Sequence, residues 1–398
     1  MKPATHGREG KMAPELFGET GIDSVTPAEV QRTTWRRALW LTLFLRLAYS
    51  VLAALIGLIQ PINWGLVHSN ALTERLPQPN HSLRYLFLGV WERFDTLWYL
   101  HIAAHGYDRP DAVVFFPGYA ILIKIASLLV PPLVAALLIS TFGAFFLFWG
   151  LQELLLKDHP PDLVVRSLFA CAVWPASFIF FAGYPESMLL ALVTWALCMA
   201  RKDRWLVAIA LGLAAALTKA IGIVVAVPLL FLAIRHRKAM TLPVLLIPLT
   251  SAGFLGYLRW TGRATVASAY AEYWRTTMAS PWTTLWSSVH ILAQTHNLIL
   301  VLNLISLVSV SVLAMLSRVR LEYLLYSAAA IGVLLCKETN PPLQSMMRYL
   351  LIVFPAFVGF ARWLQFPHLR PRFGMVCASL FLINVGLLWL FSGWSLLL

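Results

Sequence analysis

Residues 91–117 read WERFDTLWYLHIAAHGYDRPDAVVFFP and lie in the longest break between apolar segments in the N-terminal half of the chain. Acids, bases, histidines and aromatic residues are mixed here, which a helix facing lipid could not tolerate. The central acid of the stretch is Asp95. Only 12% of all residues are charged, so charge concentrated beside aromatic residues needs a specific reason. Residues 91–117 therefore do not form a transmembrane helix, and they mark a polar segment between the apolar segments that cross a membrane.

The rest of the chain has the composition of a membrane protein. Of its 398 residues 59% are hydrophobic, and the mean hydropathy is +0.73, whereas a soluble domain is usually about 25% charged. Because an open backbone finds no hydrogen-bond partner in lipid, the spans should be helices, and the apolar runs lack the alternation of a membrane β-barrel. Repeated apolar runs of roughly 20 residues can each cross a bilayer, which predicts an all-α polytopic membrane protein with about eleven transmembrane helices.

The net charge of +13 comes largely from basic residues at the ends of the apolar runs. This distribution orients helices in a membrane and does not form a groove for nucleic acid, so we expect no nucleic-acid partner. Arg36 and Arg37 precede the first apolar run, at residues 38–59. By the positive-inside rule the N-terminus is cytoplasmic, and basic residues at alternate later turns agree with that orientation.

The same alternation predicts the domain organisation. Residues 1–35 form a polar cytoplasmic tail, and residues 36–398 form one membrane domain, because no Gly/Ser linker or internal repeat divides them. Two polar intervals fall on the extracytoplasmic side, a large first loop at 60–117 and a second outer loop at 259–290. Apolar residues recur at helical spacing over 86–102, which predicts an interfacial helix lying on the membrane surface.

The unusual polar residues come together on the extracytoplasmic side in this topology. Asp95 lies within one helical turn of Trp98 and Tyr99, where partial desolvation favours use of the carboxylate as a general base. The alternative is that Asp95 pairs with Arg93 or another neighbour and caps the helix, because acids in unusual surroundings are often structural.

Three cations from distant parts of the chain share one predicted depth, Arg93, Lys219 and Arg348. Together they could bind the phosphate of a lipid-linked substrate, although each alone is more often a residue that reaches towards the interface. His101 and His105 have i, i+4 spacing and could ligate a metal. Because no HExxH pattern accompanies them, a surface or hydrogen-bonding role is favoured, and we predict neither a metal site nor a cofactor.

Three motifs resemble a known family. The stretch WERFDTLWYLHIAAHGY, followed by FFPGY, is similar to the hallmark loop of the PIG-V proteins, the GPI mannosyltransferase 2 family of GT-C glycosyltransferases. FAGYPESMLLAL at 181–192 resembles the Tyr-x-Glu-Ser segment of that family. QSMMRYLLIVFPAF at 344–357 resembles its Ser-x-x-Arg-Tyr-Leu stretch. The motifs occur in order over most of the membrane domain.

The resemblance implies a GT-C architecture and inverting transfer of mannose from a polyprenyl- or dolichyl-phosphate donor to an acceptor hydroxyl. It implies Asp95 as the general base, Glu186 as a second acid that orients the acceptor or the base, and Arg348 as a cation for the donor phosphate. Lys219 stands where the family has arginine in a Leu-Thr-Arg-x-x-Gly stretch, so it keeps the charge without the bidentate geometry. The other substrate-binding candidates lie in the first motif and are Arg93, Trp98, Tyr99, His101, His105 and Tyr107.

The implied partners are a lipid-linked sugar donor, a glycolipid, glycan or protein acceptor, and the lipid bilayer, with a small membrane partner subunit left open. The membrane would be the plasma membrane in a prokaryote and the endoplasmic reticulum in a eukaryote. A transporter or flippase of lipid-linked sugars would also need many spans, but it should place polar residues near mid-membrane and often shows two related halves. A purely structural subunit would leave Asp95 dispensable. Because the charged candidates gather at one face, an enzyme is favoured.

Overall fold

The computed structural model describes residues 27–68, 72 and 82–395. Within these residues the chain forms nineteen α-helices and one sheet of two short strands. The α-helices are α1 (Pro27–Ile59), α2 (Trp64–His68), α3 (Leu83–Phe87), α4 (Asp95–His105), α5 (Pro117–Ala126), α6 (Pro132–Leu155), α7 (Pro161–Val173), α8 (Glu186–Arg201), α9 (Trp205–Thr218), α10 (Ala226–His236), α11 (Thr241–Val244), α12 (Leu246–Trp260), α13 (Val266–Tyr273), α14 (Pro281–Thr295), α15 (Leu298–Leu316), α16 (Leu321–Leu335), α17 (Met346–Tyr349), α18 (Pro355–Trp363) and α19 (Phe373–Ser392). The strands are β1 (Thr276–Met278) and β2 (Lys337–Thr339), and short 3-10 helices lie at Gly89–Trp91, Pro110–Val114, Ser177–Phe181, Ala220–Val225, Lys238–Met240, Leu350–Ile352 and Arg370–Arg372.

Five helical segments in the described part of the chain are long and apolar enough to cross a bilayer. They are Thr33–Ile59, Pro132–Leu155, Lys238–Trp260, Leu298–Leu316 and Arg370–Ser392. A sixth would be the pair Met346–Ile352 and Pro355–Trp363, whose axes meet at 92°. The prediction of an all-α polytopic membrane protein is confirmed by this architecture.

Several other predicted spans are shorter helices. Helices α7, α8, α9 and α16 contain 13, 16, 14 and 15 residues. At 1.5 Å per residue they extend about 20–24 Å, less than the roughly 30 Å thickness of a hydrocarbon core. For these segments a full crossing stays a prediction, and so does the total of about eleven transmembrane helices.

Helix α8 packs against both α6 and α9. Its close approach to α6 depends on Gly143, because a Cβ there would lie 2.7 Å from the backbone nitrogen of Met188 and 2.8 Å from Ser187 Oγ. Small residues at such crossings allow van der Waals contact between helix backbones in a membrane. Helix α1 also packs on α6, and α18 packs on α7 and α15. The first turn of α8 is therefore held within the protein.

The structure corrects the helix that was predicted at residues 86–102. This segment is divided into α3, a 3-10 turn and α4, and Phe94, immediately before α4, has a φ of 46°. Trp91 and Tyr99 are buried in the protein, with 0% and 2% exposure. The segment is buried because aromatic residues from distant parts of the chain pack on it. The helical periodicity of the segment itself gives no sign of these contacts.

The predicted tail and loops are described only in part. Residues 1–26 of the tail and residues 69–71 and 73–81 of the first loop lie outside the described residues. The remainder of the tail, residues 27–35, belongs to α1.

The second loop contains a strand that was not predicted. Strand β1 lies between α13 and α14 and pairs antiparallel with β2, with Thr276 opposite Thr339 and Met278 opposite Lys337. The pairing brings residue 337 beside the second loop, across a long interval of sequence. The division into one membrane domain with two outer loops stays a prediction.

Candidate functional site

Four of the predicted site residues meet in one cluster, although Asp95 and Arg348 are 253 positions apart. Arg348 Nη1 donates a hydrogen bond to Asp95 Oδ2 at 2.8 Å, and Arg348 Nε lies 3.4 Å from Glu186 Oε1. Lys219 Nζ donates to the same Glu186 oxygen at 2.6 Å. Acids and bases thus alternate in the order Asp95, Arg348, Glu186 and Lys219, and we call these four residues the ion-pair chain.

Asp95 is held at the start of α4. Its backbone N–H donates to the hydroxyl of Tyr184 at 3.3 Å, and a helix N-terminus favours a negative side chain. A Cβ at Gly183 would lie 2.6 Å from Thr96 Cγ2, so the glycine allows the segment before α8 to lie directly on the first turn of α4. The Asp95 side chain keeps 17% exposure, and its pair with Arg348 uses Oδ2. A ligand can therefore reach this carboxylate.

Glu186 is the first residue of α8 and is 1% exposed. The residues on either side are tied to Ser140 on α6. Ser140 Oγ donates to the carbonyl oxygen of Tyr184 at 2.8 Å, and Ser187 Oγ donates to the carbonyl oxygen of Ser140 at 2.8 Å. The start of α8, and with it the Glu186 carboxylate, is thus held against α6 by hydrogen bonds from serine side chains to backbone carbonyls.

The two cations of the chain lie where the long helices are interrupted, Lys219 just after α9 and Arg348 in a single helical turn. Lys219 follows α9 with an extended backbone, φ −159° and ψ 145°. Arg348 lies in the four-residue helix α17, where the backbone N–H of Met347 donates to Asn303 Oδ1 at 3.3 Å. Non-helical backbone at membrane depth is tolerated where it is buried in protein or lines a cavity, and such breaks can point charge inward.

Two tyrosines that were not predicted as site residues enclose these cations. The Arg348 guanidinium lies 5.1 Å from the ring centroid of Tyr184 and 4.7 Å from that of Tyr349, whose hydroxyl accepts from Nη2 at 2.9 Å. Lys219 Nζ lies 4.8 Å from the Tyr349 centroid. Ring faces of this kind stabilise desolvated cations. Both tyrosines lie in the quoted motifs, within two positions of Glu186 or Arg348, which is the signal that could have identified them.

Several polar atoms at this place have no hydrogen-bond partner. Among the buried side-chain atoms of the described residues, the unsatisfied ones include Glu186 Oε2, Arg348 Nε and Thr96 Oγ1. Each such atom costs about 1–3 kcal/mol in a folded protein. Their concentration beside a reachable carboxylate indicates a site that receives the polar groups of a substrate.

Tyr99 lies one helical turn from Asp95 and is 2% exposed. Its ring contacts Phe115 and Tyr119 edge-on, with centroids 5.3 Å and 4.9 Å away. Burial, followed by the negative charges of Asp95 and Glu186, raises the pKa of the Tyr99 hydroxyl well above its usual value. Tyr99 is therefore a neutral hydroxyl group close to the ion-pair chain.

Trp98 and Tyr107 belong to an aromatic cluster beside the site. Trp98 stacks on Phe115 with the ring centroids 5.6 Å apart and contacts Trp274 at 5.5 Å. The Tyr107 hydroxyl donates to the carbonyl oxygen of Phe115 at 2.7 Å, and its ring contacts Phe254 at 5.3 Å. The contact between Trp98 and Trp274 joins α4 to the second loop, and a role for Trp98 and Tyr107 in substrate binding stays a prediction.

Arg93 has its hydrogen bonds elsewhere. Its guanidinium is 3% exposed and lies 5.5 Å from the ring centroid of Trp394. Its hydrogen-bond acceptors are the carbonyl oxygens of Gly89, Glu92 and Ser392 and the hydroxyl of Tyr85. Asp95 therefore pairs with Arg348. The expectation that Asp95 pairs with its neighbour Arg93 is wrong.

The two histidines lie at the far end of α4. His101 Nε2 is 2.7 Å from Asp108 Oδ1, and the rings of His101 and His105 are 5.0 Å apart. Burial raises the pKa of the Asp108 carboxyl, but the hydrogen bond from His101 outweighs it and the net shift is downward. The structure thus places His101 in a local hydrogen bond with Asp108, and the role of the two histidines stays a prediction.

An apolar cavity of about 500 Å³ lies beside the site. Helices α4, α5, α9 and α12 line it, with Ala103, Tyr107, Ile121, Leu217 and Phe254 among its walls. Leu217 is two residues before Lys219, so the cavity and the ion-pair chain share the end of α9. A largely apolar cavity of this size suits a hydrocarbon group.

Comparison with known proteins gives two relatives of one kind. GPI alpha-1,6-mannosyltransferase 2 of Mus musculus is 28% identical over 186 residues, which are 43% of this chain and 37% of the relative. GPI alpha-1,6-mannosyltransferase 2 of Homo sapiens is 32% identical over 120 residues, 27% of this chain and 24% of the relative. The chain thus spans well under half the length of either relative. No protein-family model matches the chain. The resemblance to the GPI mannosyltransferase 2 family is confirmed by these relatives.

Proposed function

We propose that this chain is a membrane glycosyltransferase that moves mannose from a polyprenyl- or dolichyl-phosphate donor to an acceptor hydroxyl. The observation that carries the proposal is the ion-pair chain, in which Arg348 holds one oxygen of a reachable carboxylate, Asp95, beside unsatisfied polar atoms. The relatives, named as mannosyltransferases, support the sugar. The acceptor is a glycolipid, a glycan or a protein.

In the proposed reaction Asp95 is the general base. The acceptor oxygen attacks C1 of mannose on the side opposite the phosphate, and its proton passes to the Asp95 carboxylate. The bond between C1 and the phosphate oxygen breaks, and its electron pair leaves with the lipid phosphate. Attack from the opposite side converts a β-linked donor into an α-linked product. A positioned base of this kind contributes roughly 10²–10⁴-fold to the rate.

The neighbouring residues position the reacting groups. Arg348 fixes Asp95 through Oδ2, so the other carboxylate oxygen is directed to the acceptor. Glu186 holds Arg348 and Lys219 through Oε1 and offers Oε2 to a sugar hydroxyl. Tyr99, as a neutral hydroxyl, donates to the sugar. The two cations supply positive charge on the donor side, where negative charge develops as the phosphate leaves.

The lipid part of the substrate and its side of the membrane complete the proposal. The apolar cavity beside α9, with Tyr107 in its wall, accommodates part of the hydrocarbon chain. The distribution of basic residues favours an extracytoplasmic site. Labelling of an Asp95→Cys variant with a membrane-impermeant reagent tests the side, with wild type as background because Cys336 and Cys377 are half-buried. Labelling only from the cytoplasmic side would overturn the topology.

Transfer of radiolabelled mannose in membranes that express the protein tests the reaction. The donor is polyprenyl-phosphate mannose, and the acceptors are lipids extracted from the host. We expect transfer by wild type and a fall of at least about 100-fold in Asp95→Asn. Asp108→Asn is the matched control, because that acid is half-exposed and pairs with His101 outside the ion-pair chain. Equal transfer by folded Asp95→Asn would remove Asp95 as the base, and no transfer by wild type would overturn the reaction.

A further inference from the structure

Lys337 is a cation near the ion-pair chain that takes no part in it. It begins strand β2, opposite Met278 of β1. Its ammonium nitrogen lies 4.5 Å from the ring centroid of Tyr270 and 5.7 Å from that of Tyr349. The hydroxyl of Tyr349 accepts the hydrogen bond from Arg348 Nη2. One aromatic ring therefore separates Lys337 from the guanidinium at the centre of the site.

The charges at the site do not balance when Lys337 is included. In the ion-pair chain two carboxylates face two cations, so its formal charge is zero. Among the residues that the structure describes, no carboxylate lies within 4.0 Å of the Lys337 nitrogen. A partly buried charge is costly without a counter-charge. The excess of one positive charge equals the single negative charge of a phosphodiester.

The surroundings of Lys337 preserve this charge. Burial and the charge of Arg348 lower the pKa of Lys337, Tyr349, Tyr270 and Asp95 raise it, and the net shift is upward. The ring faces stabilise the ammonium without neutralising it. An ammonium has three hydrogen-bond donors and no acceptor, so it can turn towards phosphate oxygens while a ring remains in contact.

We propose that Lys337, together with Tyr270 and Tyr349, binds the phosphate group of the sugar-phosphate lipid and of the lipid phosphate that remains after transfer. The assignment rests on the proposed function and adds a residue to it. When the bond from C1 to the phosphate oxygen breaks, the electron pair stays on that oxygen and the phosphate changes from one negative charge to two. A fixed ammonium stabilises this increase, so Lys337 acts on the chemical step as well as on binding.

Binding to the purified protein distinguishes the sources of the phosphate group. The probes are polyprenyl phosphate, the polyprenol of the same length and inorganic phosphate. We expect wild type to bind polyprenyl phosphate about 10–100-fold more tightly than polyprenol. Lys337→Met should remove that preference and leave polyprenol binding unchanged, whereas Lys337→Arg should keep most of it. Lys202→Met is the matched control, because Lys202 pairs with Glu153 at the other end of α8.

The outcomes separate this proposal from the proposed function. An unchanged preference in Lys337→Met, or inorganic phosphate that binds as tightly as the lipid phosphate, would overturn the lipid-phosphate site. Binding through Lys337 without mannose transfer by wild type would leave the phosphate site standing and remove the proposed reaction. Where transfer is present, we expect Lys337→Met to lower kcat as well as raise KM for the donor. If that variant does not fold, Lys337→Gln replaces it in the same measurements.

Discussion

At the C-terminal end of α8, Arg201 donates to both carboxylate oxygens of Asp158 and, at 2.9 Å, to the hydroxyl of Tyr323. At the N-terminal end, Glu186 binds two cations through Oε1 and has no partner for Oε2. The Arg201 and Asp158 side chains are 14% and 18% exposed, whereas that of Glu186 is 1% exposed.

The difference suggests a structural role for the ion pair at the C-terminal end of α8, whereas we propose that the N-terminal end binds the substrate. A paired charge near the surface can have all its hydrogen bonds satisfied and hold helices together at moderate cost. The ion-pair chain has two almost fully buried members, Glu186 and Arg348, and such charges are costly to desolvate and add little to stability compared with apolar packing. In the proposed function, the unsatisfied atoms beside this group bind polar groups of the substrate. Variants at the two ends should therefore affect different measured quantities.

The largest contrast is expected between Glu186→Gln and Asp158→Asn. The amide in Glu186→Gln no longer neutralises Lys219 and Arg348, and breaking such a buried charge pair costs about 2–5 kcal/mol. If that loss falls on the transition state, mannose transfer per folded molecule falls by at least about 30-fold. The measurement is the initial rate of transfer, normalised to protein that elutes as a single folded species.

Asp158→Asn is the counterpart at the other end. It removes the charge that Arg201 and Arg320 contact, so we expect a lower melting temperature and an unchanged rate per folded molecule. A loss of rate equal to that in Glu186→Gln would mean that the two ends of α8 do not differ in function.

A smaller contrast is expected between Arg348→Lys and Arg201→Lys. Arg348 contacts Asp95, Glu186 and Tyr349 with three different nitrogens, and a lysine cannot reproduce that planar geometry. We expect Arg348→Lys to fold like wild type but to transfer mannose more slowly. Each lost contact worth about 1.4 kcal/mol lowers the transfer rate about tenfold. Arg201→Lys should keep the transfer rate and lower the melting temperature. Full transfer by Arg348→Lys would show that charge alone is sufficient at this position.

The apolar runs allowed the helical membrane fold to be predicted, the charge alternation placed the polar candidates at one face, and the roles of Glu186 and Arg348 came from the family resemblance. Apolar runs are imposed by the bilayer, and charged residues within or beside them must avoid lipid, so Asp95, Glu186, Lys219 and Arg348 had to be near one another or near water. Arg93, by contrast, is two positions from Asp95, which made it an attractive partner. The positive φ of Phe94 lies between them and turns their side chains towards different neighbours.

The contacts of Lys337 with Tyr270 and Tyr349 could not be predicted. Strands β1 and β2 have three residues each and belong to segments about sixty positions apart, which is too short for a periodic signal. Their pairing is decided by the tertiary fold, and it is this pairing that brings Lys337 to Tyr270 and Tyr349. Aromatic packing around α4 has the same origin. Long-range contacts of this kind leave no local pattern.

Arg93→Met extends the comparison to a second buried arginine. Arg93 and Arg348 are equally buried, at 3% and 2% exposure, but the acceptors of Arg93 are carbonyl oxygens and one hydroxyl. Removing its donors leaves those groups unsatisfied, which costs about 1–3 kcal/mol. We expect a lower melting temperature, measured in detergent, with unchanged KM for the donor. A raised KM with unchanged stability would instead support the predicted substrate-binding role of Arg93.

The smallest effect is expected for His101→Asn. His101 and Asp108 have side chains that are 18% and 49% exposed, and ion pairs in such positions contribute at most about 1 kcal/mol after solvent screening. The asparagine keeps a hydrogen-bond donor, so both the melting temperature and the transfer rate should remain close to wild type. Because His101 and Asp95 lie on the same helix, this variant also tests whether α4 as a whole is sensitive to substitution. A large loss of transfer in His101→Asn would place the reaction nearer to the histidines than to the ion-pair chain, and the contrast between the two ends of α8 would then no longer locate the site.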